Sequence, residues 1–300
     1  VTDYSYHGNT QAIYEITTES CPPDKRPDYV VTVPSPDTYR GRYRGEDAAE
    51  RYAGHVSEAI ELLQKRGIRP AAFVVDTIVS SAGVVAPPPG YLSAAAEIIR
   101  AAGGLFVADE VQPGFGRTGK HFWGFEADGL VPDIVTMGKP MGNGHPVSAV
   151  VTRNELVNEF GARGRYFNTF GGSPVAAAVG LAVLDVIEAE DIPGKVQATG
   201  RHLADGLRDL RRRHSLIGDV RGGGLFFGIE LVRDRATREP APDAAARIRE
   251  RLRQNGVLLG TTGPHGNVLK IRPPLVFGRR HADLLLQTLK ESLAWAESLL

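Results

Sequence analysis

Strand-like and helix-like segments alternate through residues 71–190 of this 300-residue chain. Short apolar runs at 71–79, 104–109 and 134–137 have the length and composition of buried parallel strands. A helix-like segment at 91–102 separates the first two runs, and an alanine-rich helix with proline in its first turn is predicted at 174–190. Strands that alternate with helices in this way predict an α/β fold with a mainly parallel sheet.

The pattern changes after residue 192. The predicted elements are then a helix at 196–214, strands around 221–231, a helix near 244–255, short strands up to 276 and a final helix to 300. This order is typical of a second, smaller α+β domain. We therefore divide the chain into a major domain at 1–192 and a small C-terminal domain at 193–300.

The composition restricts the class of partner. The chain has 35 basic and 35 acidic residues, so it has no net charge that would attract nucleic acid or an anionic membrane surface. A hydrophobic content of 42% with 23% charged residues is typical of a globular protein. We expect a small-molecule partner, no nucleic acid and no membrane.

The single cysteine and the first residues of the chain bear on the cellular compartment of the protein. The single cysteine, Cys21, cannot form an internal disulfide, and no apolar stretch approaches the roughly 18 residues of a membrane span. The sequence starts at Val1 rather than methionine, which suggests a fragment, and shows no charged leader followed by an apolar segment. These features predict a cytoplasmic location.

Lys139 and Asp109 each follow or end an apolar run. Lys139 comes just after the run 134–137 and lies thirty positions after Asp109, which ends the run 104–109. Because the carboxyl ends of parallel strands meet at one edge of a sheet, we expect the two side chains to converge there. A lysine with few polar neighbours has a lowered pKa and can form a Schiff base, and a carboxylate can keep a pyridinium ring protonated. Capping of a helix or turn by Asp109 and Glu110 is the structural alternative.

Several other motifs allow both a functional and a structural interpretation. Tyr6 and His7 offer a flat aromatic surface that can stack on a ring. Thr169 precedes two glycines and a helix start, where a hydroxyl and backbone N–H groups can bind phosphate, although helix capping by Ser173 explains the same pattern. His145 has no second ligand at metal-binding spacing, so we interpret it as a turn or packing residue and predict no metal site.

A series of ordered motifs resembles one enzyme family. The motifs are SYHGN at 5–9, PPPGYL at 87–92, ADEVQPGFGRTG at 108–119, TMGKPMGNGHP at 136–146, YFNTFGGSP at 166–174, GDVRGGGLFFGIEL at 218–231 and NVLKIRPPL at 267–275. From Tyr4 to the C-terminus the chain resembles the class III pyridoxal-phosphate-dependent aminotransferases, the ornithine and GABA type. The resemblance implies a fold type I transferase with pyridoxal 5′-phosphate as its cofactor.

The resemblance also implies a role for each matching residue. Lys139 would form the Schiff base with the cofactor and move the substrate's proton, and Asp109 would pair with the ring nitrogen. Gln112 would contact the ring hydroxyl, and Val111 and Tyr6 would lie on either side of the ring.

A homodimer follows from the same resemblance, since family members share their active sites between subunits. Thr169 would then reach the cofactor phosphate held by the neighbouring subunit. His7 joins the cofactor-binding residues because it lies in the SYHGN motif beside Tyr6.

Two long runs point to one branch of the family. The runs GKHFWGFEADGLVPDIVTMGKP and YFNTFGGSPVAAAVGLAVLDVIE most resemble the ethanolamine-phosphate and phosphohydroxylysine phospho-lyases. Lys270 stands where class III aminotransferases usually have the arginine that binds the substrate carboxylate. A lysine lacks the two-pronged guanidinium, so it is less suited to binding a carboxylate there.

The chain departs from the family pattern in three ways. Asp76 replaces the usual glutamate and is one methylene shorter, so we place it with Lys270 among the candidate substrate-binding residues. Val79 replaces a glutamine, which removes a hydrogen-bonding group. Family members also begin well before the SYHGN motif, and the part absent here includes the segment whose backbone cradles the phosphate.

Three functions therefore remain open. The first is a pyridoxal-phosphate-dependent aminotransferase that transfers the amino group of a primary amine or amino acid. The second is a phospho-lyase that eliminates phosphate from a phosphorylated amino alcohol or amino acid. The third is a non-catalytic remnant or partner subunit, which the incomplete phosphate cradle favours.

Overall fold

The structure is a computed structural model that describes residues 1–299. Within that range it contains two main β-sheets, and each has its own hydrophobic core. The first sheet has the strand order β1-β2-β3-β4, with β1 at Ala72–Asp76, β2 at Leu105–Asp109, β3 at Ile134–Met137 and β4 at Ala149–Thr152. The first three strands run parallel, and β4 runs antiparallel to β3. The mainly parallel α/β sheet predicted from the sequence is confirmed.

Helices enclose the core of the first sheet. A short helix, α1 (Gln11–Tyr14), lies near the start of the chain, and α2 (Ala48–Lys65) and α3 (Tyr91–Ala101) pack against each other and supply the core with the strands β1 and β2. After α3, Gly103 has a positive φ of 80°, which glycine adopts at little steric cost. β2 is buried from its second residue to its end, as expected of a strand covered on both faces. This packing fixes the carboxyl end of the sheet.

Two helices follow β4. They are α4 (Asn154–Arg163) and α5 (Pro174–Ala189). The Ser173 hydroxyl oxygen accepts the backbone N–H of Ala176 at 3.3 Å, which confirms Ser173 as the cap of α5. No residue of α5 is buried, although Asp185 and Glu188 are its only charged residues. α5 therefore presents an apolar surface that the described residues of this chain leave uncovered.

The second sheet is antiparallel and lies in the C-terminal part of the chain. Its order is β5-β6-β9-β8, with β7 pairing on β6, and the ranges are Ile217–Gly223 for β5, Phe226–Asp234 for β6, Glu239–Pro240 for β7, Gly260–Thr262 for β8 and Val268–Ile271 for β9. Three helices pack against it and complete its core, namely α6 (Ile192–Arg213), α7 (Pro242–Gln254) and α8 (Arg279–Glu297). The predicted division after residue 192 falls in the first turn of α6, and the domain boundary stays a prediction.

A buried ion-pair cluster links the second sheet to the first part of the chain. Glu230 of β6 is 2% exposed, and its Oε1 accepts the Nε–H of Arg40 at 2.7 Å. Its Oε2 accepts an Nη1–H of Arg221 at 2.6 Å, and Arg221 donates from Nε to the carbonyl oxygen of Gly83 at 3.0 Å. The cluster thus holds the loops that contain Arg40 and Gly83 against the second sheet.

We expect Glu230→Gln to lower the free energy of unfolding by about 3–5 kcal/mol, because Arg40 and Arg221 lose their buried counter-charge. Urea unfolding followed by circular dichroism measures the change. Glu239→Gln is the matched control, because Glu239 pairs with Arg233 at the surface and should change the stability by less than about 1 kcal/mol. Equal losses in the two variants would contradict a special role for the buried cluster.

Candidate active site

The carboxyl end of the parallel sheet brings together most of the residues selected from the sequence. Asp76 ends β1, Asp109 ends β2, and the two are register partners in adjacent strands. Lys139 lies two residues beyond the end of β3. A cavity of about 260 Å³ is lined by Tyr6, His7, Gly8, Asp76, Asp109, Val111, Gln112 and Lys139. The convergence that parallel-strand geometry predicts is therefore present.

The turn after Lys139 depends on glycine. A Cβ added to Gly142 would lie 2.2 Å from the carbonyl oxygen of His145, so a larger residue cannot occupy this position without a backbone shift. Gly144 has a positive φ of 111°. The glycines thus allow the chain to turn directly after the lysine.

Asp109 is held from two sides. It is 6% exposed, and its Oδ2 lies 2.7 Å from Nδ1 of His7. Its Oδ1 accepts the backbone N–H of Val111 at 3.1 Å. His7 therefore contacts the Asp109 carboxylate, a contact that the aromatic interpretation of the SYHGN motif did not specify. The two hydrogen bonds fix the carboxylate in the cavity wall.

The environment of Lys139 favours the uncharged amine. Burial lowers the pKa of Lys139 from its usual value, and repulsion by Arg272 lowers it further. Attraction to Asp109 and Asp76 opposes both effects without cancelling them. A larger fraction of the amine is free at neutral pH, and the free amine is the nucleophilic form.

Asp76 is buried beside another carboxylate. It is 6% exposed, and its Oδ2 accepts the backbone N–H of Ser80 at 2.9 Å and the hydroxyl of the same residue. Burial raises the pKa of Asp76, Asp109 raises it further, and the hydrogen bonds from Ser80 and Ile78 act in the opposite direction. Asp76 thus adds a second carboxylate to the cavity that contains Lys139.

Cationic side chains surround the outer part of the site. Lys270 of β9 and Arg272 both line a cavity of about 520 Å³, and Arg272 also lines one of about 630 Å³ together with Lys139 and Arg117. Burial and repulsion by Arg272 lower the pKa of Lys270 to about 8. Burial and Arg272 likewise lower the pKa of Arg117 to about 10. An anionic substrate group would relieve this repulsion.

Thr169 is the one predicted site residue that lies apart from these three cavities. It is exposed and lies in the segment before α5, and it is absent from the residues that line them. Its predicted role on a neighbouring subunit is untested by the geometry of a single chain and stays a prediction.

The capping role that the sequence offered for Glu110 is present, although the turn that it caps lies 14 residues further along the chain. Glu110 is fully buried, and its Oε1 accepts the Thr77 hydroxyl at 2.7 Å and the backbone N–H of Phe125 at 3.0 Å. Its Oε2 accepts the backbone N–H of Gly124 at 2.8 Å. Glu110 thus fastens the 3₁₀ turn Gly124–Asp128 to the end of the sheet, and only the acidic pair DE in the sequence hinted at it.

We expect Glu110 to make the stability depend on pH. Burial raises its pKa to about 7 from a reference value of 4.5. The folded chain therefore retains a proton that the unfolded chain loses, so this contribution is complete below about pH 4.5 and is lost as the pH rises through about 7, by roughly 3 kcal/mol in total. Glu110→Gln should remove this dependence, as urea unfolding across the pH range would measure. The exposed Glu97→Gln is the control, and parallel pH curves for wild type and Glu110→Gln would contradict the assignment.

The described residues contain neither a membrane-spanning helix nor a cluster of metal ligands. Across residues 1–299, the helices are all too short or too polar to cross a bilayer. The same residues contain no cluster of three or more histidine, cysteine or acidic side chains arranged to hold a metal ion.

Known proteins resemble this chain over nearly its whole length. The family described as "Aminotransferase class-III" matches residues 1–293. A Drosophila melanogaster protein named alanine--glyoxylate aminotransferase 2-like is 42% identical over 97% of this chain and 61% of its own length. A Caenorhabditis elegans protein named ethanolamine-phosphate phospho-lyase homolog 1 is 41% identical over 94% of this chain and 64% of its own length. The chain thus spans less than two thirds of these relatives.

Solved structures give the same result for the fold. A phospholyase from Arthrobacter in complex with phosphoethanolamine is 44% identical with a TM-score of 0.93, over 98% of this chain and 70% of that chain. An amine transaminase from an uncultivated Pseudomonas species, in its PLP-bound form, is 29% identical with a TM-score of 0.89, over 98% of this chain and 69% of that chain. The fold type I assignment is confirmed.

The residues of the cavity fit pyridoxal phosphate. A lysine amine, a fixed carboxylate, the apolar Val111 and the aromatic Tyr6 line one cavity. Nε2 of His7 is buried and has no hydrogen-bond partner among the described residues, so the contact of Nδ1 with Asp109 is the one hydrogen bond that the ring makes to them. Pyridoxal phosphate is the cofactor that this site and the PLP-bound transaminase indicate. The chain belongs to the class III aminotransferase family.

Proposed function

We propose that this chain forms the larger part of a pyridoxal-phosphate-dependent enzyme that binds a primary amine or amino acid and transfers its amino group. The observation that carries the proposal is the convergence of Lys139, Asp109 and His7 in one cavity at the carboxyl end of the parallel sheet. When bound, pyridoxal phosphate would supply an electron-withdrawing ring that stabilises negative charge on the carbon next to the substrate nitrogen.

The residues of the chain have separable tasks in this proposal. Lys139 Nζ would hold the cofactor, and its amine would take a proton from the substrate carbon and return it. Asp109, kept in place by His7, would hold a proton at the ring nitrogen. Val111 and Tyr6 line the same cavity and would contact the ring.

Phosphate elimination is the second candidate activity, and a specific observation favours it. Arg117 and Arg272 line a cavity together with Lys139, and Lys270 lines a second cavity that shares Arg272 with the first. A phosphate group carries two negative charges and pairs well with such a cluster. The names of the phospho-lyase relative and the phosphoethanolamine complex agree with this choice.

We expect Lys270→Gln to raise KM for phosphoethanolamine by about 10- to 100-fold with a smaller change in kcat, because a charge-assisted contact is lost. In the wild type, affinity should also fall as the pH rises through about 8, where Lys270 loses its proton. Steady-state kinetics across the pH range measure both effects. Lys65→Gln, at an exposed lysine, is the control, and an unchanged KM in Lys270→Gln would place the phosphate elsewhere.

A homodimer with shared sites is part of the proposal. Phe170 is 84% exposed next to Thr169, and Val175 at the start of α5 is 62% exposed. Large apolar side chains exposed together are typical of a protein interface. This supports a role for Thr169 at the site of a second subunit.

The predicted cytoplasmic location is also still a proposal, and one relative from Arabidopsis thaliana is named as mitochondrial.

One pair of assays separates the two activities. The chain is loaded with pyridoxal phosphate and offered phosphoethanolamine, with phosphate release as the signal. In parallel it is offered an ω-amino acid with a keto acid, with transfer of the amine as the signal. Phosphate release that needs no keto acid would overturn the aminotransferase assignment, and amine transfer without phosphate release would overturn the phospho-lyase assignment.

A further inference from the structure

Four polar side chains form a continuous hydrogen-bond path that passes along the wall of the Lys139 cavity. Arg272 donates from Nη1 to Oε1 of Gln112. Gln112 donates from Nε2 to the Ser80 hydroxyl oxygen at 2.5 Å, and this hydroxyl lies 2.5 Å from Oδ2 of Asp76. We call Arg272, Gln112, Ser80 and Asp76 the Ser80 relay.

The direction of every hydrogen bond in the Ser80 relay follows from its first member. An arginine can only donate, so the Gln112 atom that faces Arg272 must be the amide oxygen. The amide nitrogen therefore faces Ser80, and since an amide nitrogen only donates, the Ser80 oxygen must accept. Its single proton is then left for Asp76, whose Oδ2 accepts it. The relay has only one consistent arrangement of protons.

Burial makes the Ser80 hydroxyl hard to replace. Ser80 is fully buried, so water has no direct access to take the place of its oxygen. An amide nitrogen carries two hydrogens, and one of those on Gln112 is used by Ser80. The other remains for an acceptor in the cavity, which Gln112 also lines. The orientation of that second N–H thus depends on the bond to Ser80.

We infer that Ser80 is a positioning residue, whose hydroxyl fixes the Gln112 amide at the wall of the cofactor cavity while it donates to Asp76. The inference rests on the proposed function, because Gln112 lines the cavity in which the cofactor would bind. Ser80→Ala removes the acceptor for Gln112 and one donor to Asp76 in a single change. The adjacent Ser81→Ala is the matched control, because Ser81 is also buried and lies outside the relay.

The charged groups around Asp76 set the expected pH effect. Asp109 faces it from β2 and raises its pKa, while Lys139 and Lys270 face it as cations from the turn after β3 and from β9. Glu110, which follows Asp109 in the chain, is a further carboxylate that interacts with Asp76. His7 binds Asp109 rather than Asp76. Ser80 lowers the pKa of Asp76, so its loss raises that pKa further.

The rise expected in the pKa of Asp76 can be tested without the cofactor. A folded-state pKa above the unfolded value favours the folded chain at low pH, and the benefit is lost as the pH rises. In Ser80→Ala the ionised Asp76 lacks one donor, so the loss of stability relative to wild type should grow from acid to neutral pH. Urea unfolding of the cofactor-free chain measures it, and a loss that is independent of pH, as expected for Ser81→Ala, would overturn the link between Ser80 and Asp76.

The second test uses the cofactor. With pyridoxal phosphate bound, Ser80→Ala should shift the pH at which the visible absorption band titrates and lower kcat/KM by about tenfold, whereas Ser81→Ala should do neither. In a Gln112→Leu background, Ser80→Ala should have a clearly smaller effect on the band, because the part that acts through Gln112 is already lost and only the direct contact with Asp76 remains.

The results of these tests distinguish a failure of the Ser80 inference from a failure of the proposed function. A wild-type chain that gives no band overturns the proposed function and the cofactor role of Ser80 with it. A normal wild-type band with equal behaviour of Ser80→Ala and Ser81→Ala overturns the inference alone. An equal effect of Ser80→Ala with and without Gln112 would also overturn it.

Discussion

Lys139→Met is expected to abolish the covalent attachment of pyridoxal phosphate and to lower kcat by about 10⁴-fold or more. Methionine keeps an unbranched side chain of similar length, so the wall of the cavity that Asp76 and Asp109 also line keeps its shape while the amine is lost. The size of the effect follows from two tasks in one residue, since the same nitrogen binds the cofactor and moves the substrate's proton. The measurements are the visible absorption of the loaded chain and the turnover of the better of the two substrates.

Lys290→Met provides the matched control. Lys290 lies on α8 and is exposed, as the polar residues around it predict. This variant should keep both the absorption band and the turnover of the wild type. Substantial turnover in Lys139→Met would mean that another amine does the chemistry, and the half-buried Lys270 would be the first to examine.

Asp109→Asn should lower kcat by about 10²- to 10³-fold while the covalent bond to Lys139 still forms. An asparagine keeps the shape of the side chain and can still contact His7, but it cannot carry the negative charge that holds a proton on the ring nitrogen. The predicted result is therefore a yellow chain that turns over slowly. Absorption spectra and single-turnover kinetics together separate binding from chemistry.

Two variants make the Asp109 result interpretable. Asp185→Asn, at an exposed position on α5, should leave the rate unchanged. His7→Phe removes the ring nitrogen that contacts Asp109 while it keeps a flat ring, so it should give a smaller loss in the same direction. Full activity in Asp109→Asn would show that the ring nitrogen needs no carboxylate in this protein.

The position of the site was predictable from the sequence because it depends on sheet geometry. The apolar runs that end at Asp109 and just before Lys139 form adjacent parallel strands, and side chains at the carboxyl ends of such strands meet by construction. The helix starting at Pro174 was also predictable, because its capping serine and first-turn proline are local signals.

Other features depend on contacts that local patterns do not encode. The amphipathic helix α2 was not predicted, since its many charged residues hide the apolar positions that face the core. The strand β4 was also not predicted, because four residues are too few for a clear strand pattern. The bond between His7 and Asp109 joins residues 102 positions apart, and the one between Arg272 and Gln112 spans 160 positions. Only the folded chain reveals such pairs.

Attachment of the cofactor to Lys139 can be tested directly. The wild-type chain is mixed with pyridoxal phosphate, its visible spectrum is recorded, the product is reduced with borohydride and the labelled peptide is mapped. We expect a yellow absorption band and a single reduced adduct on Lys139. No band, or label spread over exposed lysines such as Lys65 and Lys290, would contradict it.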